Sequence, residues 1–413
     1  MNIMDNQIPL KELRARWQRC RDLLGEFLPE AEGAFIFSRL NIYYFTGTFA
    51  NGIFYLPREG EPILLCRRGA ERAKLETSLT NIFKLHSYRD IEPLFKAAGL
   101  TVPAKTAAEM NGLSWGLAKS LTRNLAAVDF VPADKLVAMT RAKKSAWELL
   151  ILRQAGAKHH ACLTELLPPL LHEGISELEI AHKLSALLYS EGHLGVLRME
   201  SFGEEAFLGH IAIGDSANYP SVFNGPVGLV GAHPSAPFMG SENIRWSPNS
   251  LLTIDIGFTL AGYHTDKTQV YWLGAQSDIP DSLQDAHGFC VDMQAMVAEK
   301  LRPGAIPAQI WDQCRELAAH SPWEAGFMGL QPNKVGFVGH GIGLAIDEYP
   351  VLAKGFDVPL EEGMVLAVEP KIGIGGIGMV GVENTFEVTA GGGQPITGLH
   401  DEIIAIEGDL PTI

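Results

Sequence analysis

Two periodicities divide the chain. From Gly33 to Cys66 short apolar runs (AFIF, NIYYF, GIFYL, PILLC) alternate with turn residues, which predicts strands, and Pro57-Arg58-Glu59-Gly60 reads as a hairpin connection. Before them, MNIMDNQIPLKELRARW carries charges every few residues and reads as an opening helix. After them, GAERAKLETSL and SWGLAKSL are helical stretches separated by short apolar strands, so the first third is an α/β domain. The character changes near residue 138. Ser145 with Glu148, and Ser176 with Glu179, form capping boxes ahead of the apolar-periodic runs AWELLILRQAGAKHHACLTELL and IAHKLSALLYSEG, the second stopped by Gly192. Strand-like pieces then fill 196 to 273, helices are expected near 281–301 and 307–319, and strands run to the end. The repeated order, helices then strands, suits a domain of two similar halves. The expected boundaries are 1–137 and 138–413.

Composition narrows the class. A chain of 413 residues with 46% hydrophobic content is long enough for two cores. The formal net charge of −15, with no basic run, argues against nucleic-acid binding. No secretory h-region opens the chain, and Leu251 to Gly257 and Val335 to Ile346 are too short or too glycine-broken to span a bilayer, so no membrane partner is expected. Five scattered cysteines without CxxC spacing fit neither a disulfide framework nor a thiolate zinc site and point to a reducing cytoplasm.

Chemistry concentrates in three segments. In LLTIDIGFTLAGYHTDKTQVYWLG, Asp255 and Asp266 lie in neighbouring apolar runs that can face each other across a hairpin. Buried acids in strands need a partner or a cation. In EEGMVLAVEPKIGIGGIGMVGVENTFEVT, Glu369 ends one run and Glu383 lies within another. Between them, KVGFVGHGIGLAIDEYP sets His340 among glycines. Each residue taken singly has an ordinary reading as a turn acid, a cross-strand ion-pair member or a packed imidazole. Together, four carboxylates and one imidazole make a ligand set suited to two divalent cations roughly 3.5–4 Å apart.

The segments DIGFTLAGYHTD, GHGIGLAIDEYP, GMVLAVEP and GVENTFEVT resemble the ordered motifs of the pita-bread metallopeptidases, and RLNIYYFTG at 39–47 resembles the amino-terminal domain of their Xaa-Pro and creatinase branch. The resemblance implies an α+β fold: a smaller α/β domain, then a catalytic domain whose curved antiparallel sheet is backed by helices, with the metals on its concave face. It implies a homodimeric Xaa-Pro aminopeptidase or dipeptidase acting on short peptides, with two ions of Mn, Co, Fe or Zn. Asp255 then chelates one metal, Asp266 and Glu383 bridge, and His340 and Glu369 bind the other. On that resemblance the two metals would supply a bridging hydroxide to attack the peptide carbonyl, and Glu369 would shuttle the proton. A metal-dependent lyase on the same fold, or a non-catalytic peptide-binding module, are the alternatives.

Several positions depart from the family pattern. Asp347 stands where a second histidine follows the GHGIG motif, and is the candidate proton donor there. Phe238 stands at another histidine position, leaving His233, or else His210, as candidates for that role. Two usual arginines are Gln269 and Gly381. His264 is read as structural and on the opposite strand face from Asp266, and Arg198 and Glu200 as strand residues near the pocket mouth that form an ion pair or hold a substrate terminus.

Overall fold

A computed structural model describes residues 7–200 and 208–407, so the first six residues of the expected opening helix lie outside it. The chain forms two compact units, Met1–Arg141 and Ala142–Ile413.

In the first unit, helix α1 (Leu10–Phe27) precedes strand β1 (Gly33–Ile36), helix α2 (Arg39–Thr46), strands β2 (Asn51–Pro57) and β3 (Ile63–Arg68), helix α3 (Ala70–Glu76), strand β4 (Ile82–Lys84), helix α4 (Ile91–Ala97), strand β5 (Lys105–Ala108), helix α5 (Trp115–Asn124), strand β6 (Asp129–Pro132) and helix α6 (Asp134–Ala142). The strands form one mixed sheet in the order β4-β3-β2-β1-β5-β6, and β2 and β3 are antiparallel around the Pro57–Gly60 turn. The run NIYYF is helix rather than strand. Ser38 accepts from Asn41 N at the helix start, and Gly47, at φ 79°, ends it in a left-handed conformation. Those caps outweigh the β preference of Ile42, Tyr43, Tyr44 and Phe45.

The second unit opens with helices α7 (Ala146–Ala161) and α8 (Glu177–Ser190), each started by the capping box expected of it. Strands β7 (Gly209–Ile213), β8 (Leu251–Leu260) and β9 (Tyr263–Leu273) follow, then helices α9 (Asp281–Lys300) and α10 (Pro307–Ala319). The last stretch holds β10 (Phe337–Gly341), β11 (Glu348–Ala353), β12 (Val365–Val368), β13 (Lys371–Ile374), β14 (Gly378–Gly381), β15 (Asn384–Thr389), β16 (Gly392–Pro395) and β17 (Ile404–Ile406). One sheet runs β17-β9-β8-β7 and another β11-β10-β12-β15-β16, with β13-β14 as a separate hairpin. All pairings are antiparallel except β17 with β9.

Period two decides which way the acids point. Leu252, Ile254, Ile256 and Phe258 of β8, with Tyr271 and Leu273 of β9, bury against Ile180 and Leu184 of α8 and Ala155 of α7. Asp255 on β8 and Asp266 on β9 therefore occupy the face turned away from those helices. On the other sheet, Val338, Leu366, Val368 and Phe386 pack with Cys290 and Met293 of α9 and Trp311 of α10. The two sheets are stitched together at the acids. Asp266 N donates to Thr385 Oγ1 (2.9 Å), which donates back to Asp266 O (3.0 Å), and Thr268 bridges Glu383 through backbone hydrogen bonding. No helix of the described residues is long and apolar enough to cross a membrane, and all five cysteines are buried free thiols.

Candidate metal centre

The five expected ligands converge. Asp255 pairs across the hairpin with Thr268, and Asp266 with Gly257, which sets both aspartates on one face. His340 pairs with Ala367 of β12, and Glu369 follows the end of that strand, its N–H bonded to Val338 O. Glu383 occupies the bridge to Thr268, just before β15 rather than within it. Gly341 has a local reason to be glycine: a Cβ there would lie 2.4 Å from Tyr349 O, so β10 fits closely beside β11 only without one.

The donors fall into two groups that share Glu383. One is Asp266, His340 and Glu383; the other is Asp255, Glu369 and Glu383; within each group one ligand atom per residue lies within 4.8 Å of the others. His340 Nδ1 is 3.1 Å from Gly341 O, an acceptor, and its Nε2 faces Glu369 Oε1 at 3.5 Å. An imidazole nitrogen and two carboxylates within a few ångströms of one another are a donor set that fits a divalent ion.

The second group already contains a cation that the sequence reading passed over. Lys371 Nζ donates to Glu369 Oε2 at 2.9 Å and to Glu383 Oε2 at 2.8 Å, and stands 3.4 Å from Asp255 Oδ2. Its side chain is fully buried. Thr268 Oγ1, 2.9 Å from Asp255 Oδ1 and 3.0 Å from Glu383 Oε2, shares its one proton between them. Charge sets the titration directions. Burial opposes the Lys371 ammonium, but Asp255, Glu369 and Glu383 hold its pKa well above the ordinary value. Burial raises Asp255, yet Lys371 and hydrogen bonds bring it below the ordinary carboxylate range. Asp266 is pushed well up by burial and the charges of Asp255 and Glu369, and Glu383 by burial and the charges of Asp266 and Glu369. Four carboxylates with one lysine are short of positive charge.

The flanking candidates separate. His233 lies exposed in a turn with Nδ1 2.7 Å from Ser235 Oγ, and belongs to neither ligand group. His210 of β7 is the direct cross-strand partner of Asp255, and its buried Nε2 has no hydrogen-bond partner among the described residues. Burial lowers its pKa, with Lys371 adding to the effect and Asp255 opposing it. Asp347 points elsewhere: Glu200 N donates to its Oδ1 at 2.9 Å. The buried acid of that segment is its neighbour Glu348, 3.2 Å from Lys144 Nζ. His264 requires a correction. Residues two apart in the regular strand β9 share a face, so His264 lies on the same face as Asp266, bonded through Nδ1 to Gly343 O (3.0 Å) and accepting from Arg198 N (3.1 Å) at Nε2. Arg198 and Glu200 are not in a strand; they lie in an irregular segment bonded to Ile346 and Asp347. Gln269 donates to Glu402 O (2.8 Å).

Comparison with known proteins agrees with this architecture. The family model for metallopeptidase family M24 matches residues 151–390, more than half of the chain, and that for the creatinase/prolidase N-terminal domain matches residues 16–143. The chain is 24% identical over 386 residues to an Xaa-Pro dipeptidase of Pyrococcus furiosus, covering 92% of this chain and 98% of that one. It is 27% identical over 281 residues to a probable dipeptidase of Mycobacterium bovis, covering 67% and 64%. Among solved structures, an Xaa-Pro dipeptidase from Bacillus anthracis superposes with a TM-score of 0.77 at 22% identity, covering 95% and 99%, and an X-Pro aminopeptidase from Thermotoga maritima with 0.75 at 21%, covering 94% and 99%. These neighbours have the pita-bread fold, and the α+β architecture expected from the sequence is the one observed.

Proposed function

The chain belongs to metallopeptidase family M24, and on that premise we propose that it is a metal-dependent exopeptidase acting at Xaa-Pro bonds of short peptides. The observation that carries this reading is the convergence of Asp255, Asp266, His340, Glu369 and Glu383 where the two sheets meet, as two groups sharing Glu383. The names of its relatives and neighbours support the substrate class. The group Asp266, His340 and Glu383, with Asp255 and Glu369 beside it, would hold divalent metal, and manganese, cobalt, iron and zinc all suit the donor set. When bound, such a metal supplies Lewis acidity to the scissile carbonyl and lowers the pKa of water. Glu369, between His340 Nε2 and Lys371 Nζ, is placed to take a proton from the attacking water and return it to the departing amine. His210, rather than His233 or Asp347, is placed to donate from its unpartnered Nε2 to the substrate's carbonyl oxygen. We place the enzyme in the cytoplasm, where five buried free thiols persist, and expect a homodimer.

The test is to strip the protein, reload it separately with each of the four metals, and offer Xaa-Pro dipeptides beside longer Xaa-Pro peptides. Mass spectrometry then reads the products. Metal-dependent release of the first residue is expected, and the preferred length assigns it as dipeptidase or aminopeptidase. Metal uptake without cleavage of any peptide would overturn the peptidase reading in favour of different chemistry on the same fold.

A further inference from the structure

The second ligand group is filled from within the chain. Its three members, Asp255, Glu369 and Glu383, are the same three carboxylates that surround Lys371 Nζ at 3.4, 2.9 and 2.8 Å. We propose that the Lys371 ammonium is the resident cation of that half of the centre, so that the native protein takes up one divalent ion, on Asp266, His340 and Glu383, and not two. The inference rests on reading the cluster as a metal centre, as proposed above, and not on any peptide specificity.

Three further observations support it. Lys371 lies two residues beyond Glu369, and the intervening Pro370 leaves both side chains on the acid face. Its cross-strand partner in the β13–β14 hairpin is Gly381, whose φ of 139° and whose missing Cβ, which would lie 2.4 Å from Pro370 O and 3.1 Å from Lys371 Cγ, give the lysine stem its room. The ammonium is also enclosed, its side chain having no exposed surface, so a second divalent ion entering the Asp255 group would stand beside a buried like charge. The charge inventory closes with a single ion. Four ionised carboxylates carry four negative charges, of which one lysine and one divalent cation offset three, whereas a second divalent cation beside the same lysine would bring the sum to one positive charge.

The experiment measures metal stoichiometry, which needs no substrate. Wild-type protein and Lys371→Met are stripped with chelator, saturated with manganese, cobalt or zinc, freed of loose metal and measured by elemental mass spectrometry per chain, with titration calorimetry counting the sites. One ion per wild-type chain and two per K371M chain are expected, and chelation should lower the melting temperature of K371M far more than that of the wild type. Lys371→Gln, which keeps donor groups without charge, replaces K371M should the latter fail to fold, and should also bind two. Two ions per wild-type chain, or one in both proteins, would overturn the role given to Lys371. No uptake by either would overturn the metal centre and this inference with it, whereas failure to cleave Xaa-Pro peptides would leave the stoichiometry untouched.

Discussion

Replacing Glu348 by Gln should unfold the catalytic unit several degrees earlier than the wild type, because it strands a buried charge. Glu348 Oε2 lies 3.2 Å from Lys144 Nζ, with the two side chains 3% and 2% exposed. Its other oxygen accepts from Ala345 N at 2.9 Å, a bond that the amide of Gln can keep. The substitution therefore preserves shape and one hydrogen bond while leaving the ammonium without its counter-charge. Breaking a buried pair from one side costs about 3–5 kcal/mol. For a unit of this size 1 kcal/mol corresponds to roughly 2–4 °C, so a fall of roughly 6–20 °C is expected. Thermal unfolding at neutral pH, followed by tryptophan fluorescence, reads the shift. The double replacement Lys144→Met with Glu348→Gln removes both charges, keeps the bond from Ala345 N, and should recover most of the loss. Glu348 also pairs with Gly341, next to His340, so metal affinity should weaken in the single variant and return in the double one. A loss below about 1 kcal/mol in E348Q, or a double variant as unstable as the single, would refute the reasoning.

Two shorter expectations follow from histidines. His210→Gln should leave metal content unchanged but lower kcat by about 10²–10³, as removal of one oxyanion donor does, and steady-state kinetics beside metal analysis would expose an error if KM alone rose. His193 is 5% exposed, accepts from Thr259 N at 2.9 Å, and is brought by burial to a pKa of about 4 from 6.5. A lowered histidine stabilises the fold above its unfolded pKa, and that contribution is lost as pH falls from about 6.5 towards 4, amounting to roughly 3 kcal/mol. Urea midpoints measured between pH 7 and 4 should fall less steeply in His193→Gln than in the wild type; parallel slopes would contradict the assignment.

What could be read from the residues, and what could not, follows from the range of each interaction. Both capping boxes are contained within four residues, and Ser145 with Glu148 and Ser176 with Glu179 start their helices as read. The hairpin that carries Asp255 and Asp266 is likewise local. The run NIYYF was misread because its apolar residues suit either period, and the deciding signals, Ser38 and Gly47, lie at its edges. His210 could not be preferred over His233 because its place depends on the pairing of β7 with β8, two strands separated by a long irregular connection. Asp347 and Glu348 differ by one residue and thus by face, and only the pairing of β11 with β10 decides which is buried. Lys371 was visible in VEPKIG, but its meaning needs four strands at once.

The departures from the family pattern form one coherent change in where charge is kept. Arginine is absent at Gln269 and Gly381, and two lysines, Lys267 and Lys371, are fully buried beside the ligand residues. They approach from opposite sides. Lys267 follows Asp266 on the far face of β9 and donates to Asn384 Oδ1 (2.6 Å), while burial lowers its pKa to about 8, so it steadies the strand behind Glu383 with a charge that is easily surrendered. Lys371 instead lies on the acid face, where the carboxylates keep it charged. A guanidinium is a wide planar fork that satisfies acids from the side, whereas an ammonium is compact enough to stand between them. With glycine at 381, it is the cross-strand partner Lys371 that carries positive charge, and it carries it inside the acid cluster. A protein so altered needs less external cation to hold its acids together, and its fold should outlast the chelation that stops its chemistry.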